Sequence, residues 1–272
     1  MAMRRLRCLV SVAAAGVVLA GCSATDATSG SVAARAGDTG SLTIGIRLDH
    51  PGLSEQTVDG RIVGFDADVA RFVAAELGVA EDGITWKETV AAEREDALRD
   101  GTVDLIVAAY SITGERQQEV SFAGPYFETG QDLLVRSTSP LSGPESLTGR
   151  TLCSSSGSTS AALMSERFAR SATLVEYPRV SECVTALLAR RVDAVTTDAA
   201  ILAGHVARNP ELLELTGQRW STERYGIGLP KGDDETRDAV NAAIRTMIES
   251  GSWRASLERH LAPSGVEVSD PP

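Results

Sequence analysis

The sequence predicts an α/β fold built from two consecutive sets of strand–helix units. Apolar and polar residues alternate over residues 41–47 (SLTIGIR), as they do in a strand, and a helix pattern follows with Asp66 as its expected N-cap. Similar strand and helix patterns recur along the chain, and a Pro/Ser/Gly-rich stretch at residues 137–144 divides them into two sets.

The first set comprises strands at 41–47, 84–88, 103–108 and 130–136, with helices from 66 and over 92–100. The second comprises strands at 150–153, 173–176 and 192–196, with helices over 159–169, over 181–189 and from 198. A strand at 225–229 and helices over 234–250 and 252–261 complete the pattern. We expect mostly parallel sheets, in which ligand sites lie at the carboxyl ends of the strands.

The start of the chain has the features of an export signal. Three arginines precede an apolar run over residues 8–20, which is shorter than the roughly 20 residues that span a bilayer. The run ends in Leu19-Ala20-Gly21-Cys22, which resembles the lipobox of bacterial lipoproteins. We therefore expect residues 1–21 to be a signal peptide and Cys22 to be lipidated, with residues 22–40 as a flexible tether. The alternative is an ordinary secretory signal in which Cys22 is incidental.

Charge and composition exclude several classes of function. The net charge of −11 becomes −14 when the three signal arginines are removed, which argues against a nucleic-acid partner. The three histidines lack metal-ligand spacing, so no metal or cofactor is expected. Residues 154–157 (SSSG) do not form the nucleophile motif of hydrolases. We expect a binding protein and not an enzyme.

Cysteine usage predicts one disulfide. Cys8 and Cys22 belong to the signal and the anchor, which leaves Cys153 and Cys183 in a compartment where thiols oxidise. Closing a loop of this length would stabilise the fold by roughly 3–4 kcal/mol. The alternative is two separate buried thiols.

Six segments, in this order, resemble the polar amino acid solute-binding proteins of ABC transporters, and especially actinobacterial glutamate-binding lipoproteins. They are residues 64–69 (GFDADV), 111–116 (SITGER), 122–127 (FAGPYF), 157–159 (GST), 192–198 (VDAVTTD) and 225–232 (YGIGLPKG). The resemblance implies a periplasmic-binding-protein-like fold of two lobes around a ligand cleft. Lobe 1 would be 41–124 plus 225–261 and lobe 2 would be 130–220, with hinges near 125–129 and 221–224.

The same resemblance assigns ligand-binding residues, and the chemistry of an amino acid agrees with them. Arg116 would clamp the α-carboxylate, assisted by the backbone of Ala109 and the hydroxyl of Ser111. Asp198 would receive the ammonium, and Thr159 would donate to the carboxylate from a helix start. Taken alone, Arg116 would be more typical of a surface arginine and Asp198 of a helix cap; within the matched motifs the site roles are favoured.

Ligand specificity is expected from Arg47, at the end of the first strand, where the family lines its pocket. A guanidinium there favours L-glutamate or L-aspartate. His50 and Ala91 stand where some relatives place aromatic residues. Arg94 is either an ion-pair partner behind the site or an exposed helix residue.

These features predict the monomeric, lipid-anchored binding component of an ABC-type amino acid importer on the extracytoplasmic face of the cell membrane, with permease subunits as partners. Two alternatives stay open: a sensor lipoprotein that presents an amino acid to a membrane receptor, and a binder of glutamine or asparagine.

Overall fold

The computed structural model describes residues 30–168, 172–266 and 270–272, and it folds into two α/β lobes. The predicted signal peptide, Cys22 and the first part of the predicted tether lie outside these residues. No helix in the described ranges combines the length and apolar composition needed to cross a bilayer.

The strands are β1 Leu42–Ile46, β2 Asp49–His50, β3 Ser54–Gln56, β4 Ile62–Val63, β5 Ile84–Glu88, β6 Leu105–Ile106, β7 Ser121–Thr129, β8 Gln131–Arg136, β9 Thr151–Ser155, β10 Thr173–Tyr177, β11 Ala194–Asp198, β12 Leu213–Leu215 and β13 Glu223–Leu229. The α-helices are α1 Val32–Thr39, α2 Phe65–Glu76, α3 Arg94–Arg99, α4 Arg116–Glu119, α5 Thr159–Phe168, α6 Val180–Leu188, α7 Ala199–Arg208, α8 Asp234–Glu249 and α9 Ser252–His260. Short 3₁₀ turns occupy Glu81–Gly83, Ala91–Glu93, Pro144–Ser146 and Ala262–Ser264.

Each lobe contains a five-stranded mixed sheet. The lobe 1 sheet has the order β5-β1-β6-β13-β7, and the lobe 2 sheet has the order β10-β9-β11-β8-β12. Three strands of each sheet are parallel, while β13 and β7 in lobe 1, and β8 and β12 in lobe 2, pair antiparallel. A third, three-stranded sheet of β2, β3 and β4 is entirely antiparallel. The expectation of mostly parallel sheets therefore holds for only half of the strand pairs in the two five-stranded sheets. In lobe 1 the reason is connectivity, because β7 leads toward lobe 2 and β13 leads back.

The core of lobe 1 explains why its helices form where they do. Helix α2 presents Phe65 to an aromatic cluster with Tyr126, Phe127 and Trp253, at ring-centroid distances of 5.6 to 6.1 Å. Helix α8 buries the apolar stripe that its 3.6-residue period predicts, which consists of Val240, Ala243, Ile244 and Met247. Asp66 does not cap α2 as expected, because the helix begins at Phe65 with Gly64 at the cap position; Asp66 is its second residue and is buried.

The second part of the predicted tether is a helix, which corrects the expectation for residues 32–39. Ser31 caps α1 by accepting from the amide of Ala34, and Val32 is buried. The first amides of α1 also donate to side chains of α8, since Val32 bonds Asp233 at 2.8 Å and Ala33 bonds Thr236 at 2.9 Å. The polar composition of this stretch concealed these long-range contacts.

A disulfide joins Cys153 in β9 to Cys183 in α6, as the sequence predicts. Both cysteines are fully buried, and the bond ties α6 to the middle of β9 in the lobe 2 sheet. The disulfide therefore fixes one of the elements that face lobe 1.

Candidate ligand-binding site

A narrow cavity lies between the two lobes, where the carboxyl ends of the parallel strands of both sheets face each other. Its walls are formed by the last residues of β9 and β11 and by the loop that follows β6. The starts of α3 to α7, and one residue each from β2 and from the 3₁₀ turn before α3, complete them. The lining residues are His50, Ala91, Arg94, Ala109, Ser111, Arg116, Ser155, Ser158, Thr159, Val180, Thr197, Asp198 and Ile201. This is the position at which open α/β sheets bind ligands.

Two arginines of lobe 1 form the positive wall of the cavity. Arg94 begins α3 and Arg116 begins α4, and both guanidinium carbons lie over the ring of Tyr110, at 4.8 and 4.9 Å from its centroid. Cation–π contacts of this kind orient a guanidinium without using its N–H donors. The ring therefore holds both cations at the cavity while leaving donors available.

Arg116 already makes several polar contacts. Its guanidinium donates to the carbonyl oxygen of Ser111 at 2.8 Å and, across the cleft, to that of Gly157 at 3.1 Å. Its Nε lies 3.4 Å from a carboxylate oxygen of Glu95. With a side chain only 11% exposed, Arg116 is not a surface arginine.

Arg94 differs from Arg116 in having no polar partner. It is 4% exposed, and in the described ranges its guanidinium makes no hydrogen bond and has no carboxylate within 4 Å. The alternative that Arg94 is an exposed helix residue is therefore wrong. Burial, and after it the nearby Arg116, lower the pKa of Arg94 to about 10, so it still carries its charge at neutral pH.

Asp198 provides the negative charge from lobe 2. It is the last residue of β11 and stands at the cap position of α7, yet its side chain makes no capping bond. One carboxylate oxygen accepts from the hydroxyl of Tyr225 at 2.7 Å, and the other has no partner in the described part of the chain. Burial, and after it the Glu223 carboxylate, raise the pKa of Asp198 to about 7.

The other predicted residues of the site lie on the cavity with altered roles. Ala109 has a φ of 48°, and its amide donates to Asp66 at 2.8 Å, which leaves its carbonyl oxygen for a ligand. Ser111 is buried beside it. The hydroxyl of Thr159 donates to Glu223 at 3.1 Å, and the amide of Ala161 donates to the hydroxyl of Ser158 at 3.0 Å. The donors left for a ligand at the start of α5, within the described residues, are the backbone amides of its first two residues.

Arg47 is not among the residues that line the cavity. It is 1% exposed, and its Nε and Nη2 atoms donate to one oxygen of Asp49, at 3.1 and 2.7 Å. Sequence reasoning assigned the specificity role to Arg47 and missed both Asp49 and the burial of Arg94. The strand-end rule offered a signal for Arg94, because α3 follows the carboxyl end of β5.

His50 and Ala91, which stand where some relatives place aromatic residues, both line the cavity. Burial lowers the pKa of His50 to about 3, so this side chain adds no positive charge.

A wider groove on the outer face of lobe 1 is a weaker candidate. Its charged groups neutralise one another, since Asp68 lies within 4 Å of Arg71, Arg259 and His260, and Arg71 also bonds Glu81. The interlobe cavity contains unpaired buried polar atoms and this groove does not, within the described residues. We therefore assign the ligand site to the cavity.

Comparison with known proteins agrees with this geometry. The model of the bacterial extracellular solute-binding proteins, family 3, matches residues 42–263. The chain belongs to this family. As a member it is a solute-binding protein and not an enzyme, and the two-lobed α/β architecture is the one found in its structural neighbours.

Relatives within the family bind different amino acids. The chain is 38% identical to the glutamate-binding protein GluB of Corynebacterium efficiens, covering 94% of this chain and 90% of that one. It is 34% identical to the glutamine-binding protein GlnH of Bacillus subtilis, covering 85% and 84%. A crystal structure of a mutant arginine-binding protein from T. maritima matches with a TM-score of 0.79 at 28% identity, covering 85% and 99%.

Proposed function

We propose that this family 3 protein binds an acidic amino acid, L-glutamate or L-aspartate, as the monomeric, lipid-anchored component of an ABC-type importer on the extracytoplasmic face of the membrane. The observation that carries the choice of an acidic ligand is Arg94, a buried cation at the cavity with no polar partner in the described residues.

The backbone of any amino acid would be recognised from both lobes. Arg116 of lobe 1, with the first amides of α5, would bind the α-carboxylate, since a guanidinium and a helix start both favour an anion. The free oxygen of Asp198 would accept from the α-ammonium. A ligand that joins these groups stabilises the closed arrangement of the lobes, so binding would shift an existing equilibrium about hinges near 125–129 and 221–224 toward closure.

The ligand's side chain would be recognised by Arg94. The α-carboxylate and α-ammonium of the ligand match Arg116 and Asp198, which leaves the charge of Arg94 without a counterpart. A buried charge is costly unless it is paired. A side-chain carboxylate on the ligand supplies the pair, whereas the amide of glutamine would leave the charge uncompensated.

Similarity to the glutamate-binding protein of Corynebacterium efficiens supports the same choice, and similarity to the glutamine-binding protein of Bacillus subtilis supports the alternative. Lipid anchoring rests on the sequence at Leu19-Ala20-Gly21-Cys22. A Cys22→Ala variant that still fractionates with membranes would contradict the anchor.

A panel of the twenty amino acids tests the ligand. Purified mature protein should show its largest thermal stabilisation with glutamate or aspartate, and calorimetry should confirm tighter binding of these than of glutamine, arginine or histidine. An Arg116→Ala variant should lose binding of every amino acid, because truncating one member of a buried charge pair costs roughly 2–5 kcal/mol. Tight glutamine binding without glutamate binding would overturn the acidic assignment.

Neighbouring genes separate transport from sensing. Permease and ATPase genes beside this one support the importer, whereas a receptor or kinase gene would support a sensor.

A further inference from the structure

A loop of lobe 1 crosses the cleft and docks on two helices of lobe 2. We call residues 49–53, which run from β2 toward β3, the closure loop. One oxygen of Asp49 is held by Arg47, and the other accepts from the backbone amide of Ser181 at 3.1 Å, in the first turn of α6. A carboxylate at a helix start satisfies a free amide and interacts favourably with the helix dipole. Asp49 of one lobe therefore caps a helix of the other.

Gly204 of α7 is the second contact of the closure loop. A Cβ atom at this position would lie 1.9 Å from the carbonyl oxygen of Pro51, a distance that no side chain tolerates. Glycine inside a helix is less stable than alanine by roughly 0.5–1 kcal/mol. Within lobe 2 alone, alanine would stabilise α7 more than glycine does. Glycine is required at this position only because the backbone of Pro51 in lobe 1 lies against it.

The elements that form these contacts also form walls of the cavity. His50 of the closure loop, Val180 of α6 and Ile201 of α7 all line it, whereas Asp49 and Gly204 do not. When the closure loop contacts α6 and α7, these three lining residues from both lobes are placed side by side around the cavity.

Ion pairs flank this contact, with Arg179 bonding Glu88 at 2.6 and 2.7 Å and Arg208 bonding Glu55. Both arginines are solvent-exposed, and exposed pairs contribute little, typically about 0–1 kcal/mol. The partly buried bond from Ser181 to Asp49 and the buried contact at Gly204 are the stronger candidates for holding the lobes together.

We propose that the closure loop is a latch that retains the amino acid: Asp49 caps α6 across the cleft, Gly204 admits Pro51, and both set ligand retention without contacting the ligand. This inference rests on the proposed function in so far as the retained ligand is an amino acid.

The first test replaces Gly204 with alanine and uses Gly37→Ala as a matched control. Gly37 also lies inside a helix, but a Cβ there would have its nearest contact at 3.7 Å. Gly204→Ala should weaken glutamate binding about tenfold or more, mainly through faster dissociation, while circular dichroism shows that each lobe is folded as in the wild type. The control should bind like the wild type. Binding by Gly204→Ala within about twofold of wild type would overturn the latch.

A second variant covers the case in which Gly204→Ala does not fold. Asp49→Asn should weaken glutamate and glutamine by the same factor, since the lost contact is to α6 and not to the ligand. A change of more than about threefold in the ratio of the two affinities would show a direct ligand contact and overturn the latch.

Small-angle X-ray scattering without added amino acid separates failure of the latch from failure of the proposed function. If wild type binds none of the twenty amino acids, the proposed function is wrong, but the latch still predicts a larger radius of gyration for Gly204→Ala than for Gly37→Ala. Equal radii would overturn it.

Discussion

Asp66 in lobe 1 and Asp198 in lobe 2 resemble each other in burial, in their tyrosine partner and in the direction of their pKa shift. Each is buried, and each accepts from a tyrosine of a strand that links the lobes, Tyr126 at 2.9 Å and Tyr225 at 2.7 Å. Burial is the largest cause of the raised pKa in both, to about 6 for Asp66 and about 7 for Asp198. Neither burial nor a shifted pKa therefore distinguishes a structural carboxylate from one that binds ligand.

The two carboxylates differ in the hydrogen-bond partner of their second oxygen. In Asp66 it accepts from the amide of Ala109 at 2.8 Å, so both oxygens are used within the fold. In Asp198 it has no partner in the described residues, and the side chain lines the cavity. A buried acceptor left free at a cavity marks the position where a donor from outside is expected. By this criterion Asp66 holds the Ala109 segment in place, and Asp198 is the carboxylate that we propose to accept from the ammonium of the ligand.

The largest expected effect is on binding by Asp198→Asn. An amide cannot supply the charge that pairs with the ammonium, so we expect a loss of roughly 2–5 kcal/mol, or about 30-fold or more in the affinity for glutamate. Calorimetry measures the affinity, and circular dichroism should show an unchanged fold. Binding within a factor of about three of wild type would remove Asp198 from the site.

Asp66→Asn should lower the stability of the fold and leave ligand affinity nearly unchanged. Its amide group would present N–H donors where the hydroxyl of Tyr126 and the amide of Ala109 also donate, so one buried donor is left unpaired. We expect the free energy of unfolding to fall by about 1–3 kcal/mol, measured by urea denaturation. At temperatures where the variant is folded, its affinity for glutamate should change far less than that of Asp198→Asn. A larger loss of glutamate affinity in Asp66→Asn than in Asp198→Asn would contradict the assignment of a structural role to Asp66 and a binding role to Asp198.

The smallest expected effect is a pH dependence of stability and of ligand affinity that is caused by the titration of Asp198. The groups that act on this carboxyl are Glu223, which raises its pKa, and Tyr225, Arg116 and Arg94, which lower it. Because the folded pKa lies above the ordinary value of 3.8, the folded state retains a proton that the unfolded chain releases. This contribution to stability is complete below the ordinary value and is lost as the pH rises toward about 7.

Two measurements test this direction of the pH dependence. Without added amino acid, the melting temperature of Asp198→Asn relative to wild type should rise between about pH 5 and pH 8, because only the wild type loses this contribution. The affinity of wild type for glutamate should increase over the same range, because an ammonium pairs with the ionised form. An affinity that falls with rising pH would contradict the role of Asp198.

The sequence allowed prediction of features that depend on local pattern or on a complete motif. The disulfide between Cys153 and Cys183 followed from cysteine usage. Arg116 and Asp198 were selected by their motifs, and both line one cavity.

Features that depend on contacts between residues far apart in the chain were not predicted from the sequence. Asp49 caps α6 through Ser181, 132 residues away, and α1 docks on α8 through a bond from Val32 to Asp233 that spans 201 residues. The sequence left Arg94 open between an ion-pair partner behind the site and an exposed helix residue, because its burial and its contact with the ring of Tyr110 are set by tertiary packing. No pattern within one helix or strand contains that information.

The most direct test of the proposed acidic-ligand site is a calorimetric titration of wild type and Arg94→Gln with L-glutamate and with L-glutamine. Arg99→Gln serves as the matched control, since Arg99 lies on the same helix with a side chain that is 53% exposed. We predict that wild type and control prefer glutamate, and that Arg94→Gln loses this preference, binding glutamate about 30-fold or more weakly and glutamine as well as wild type or better. Equal losses for both ligands in Arg94→Gln, or a wild type that prefers glutamine, would contradict it.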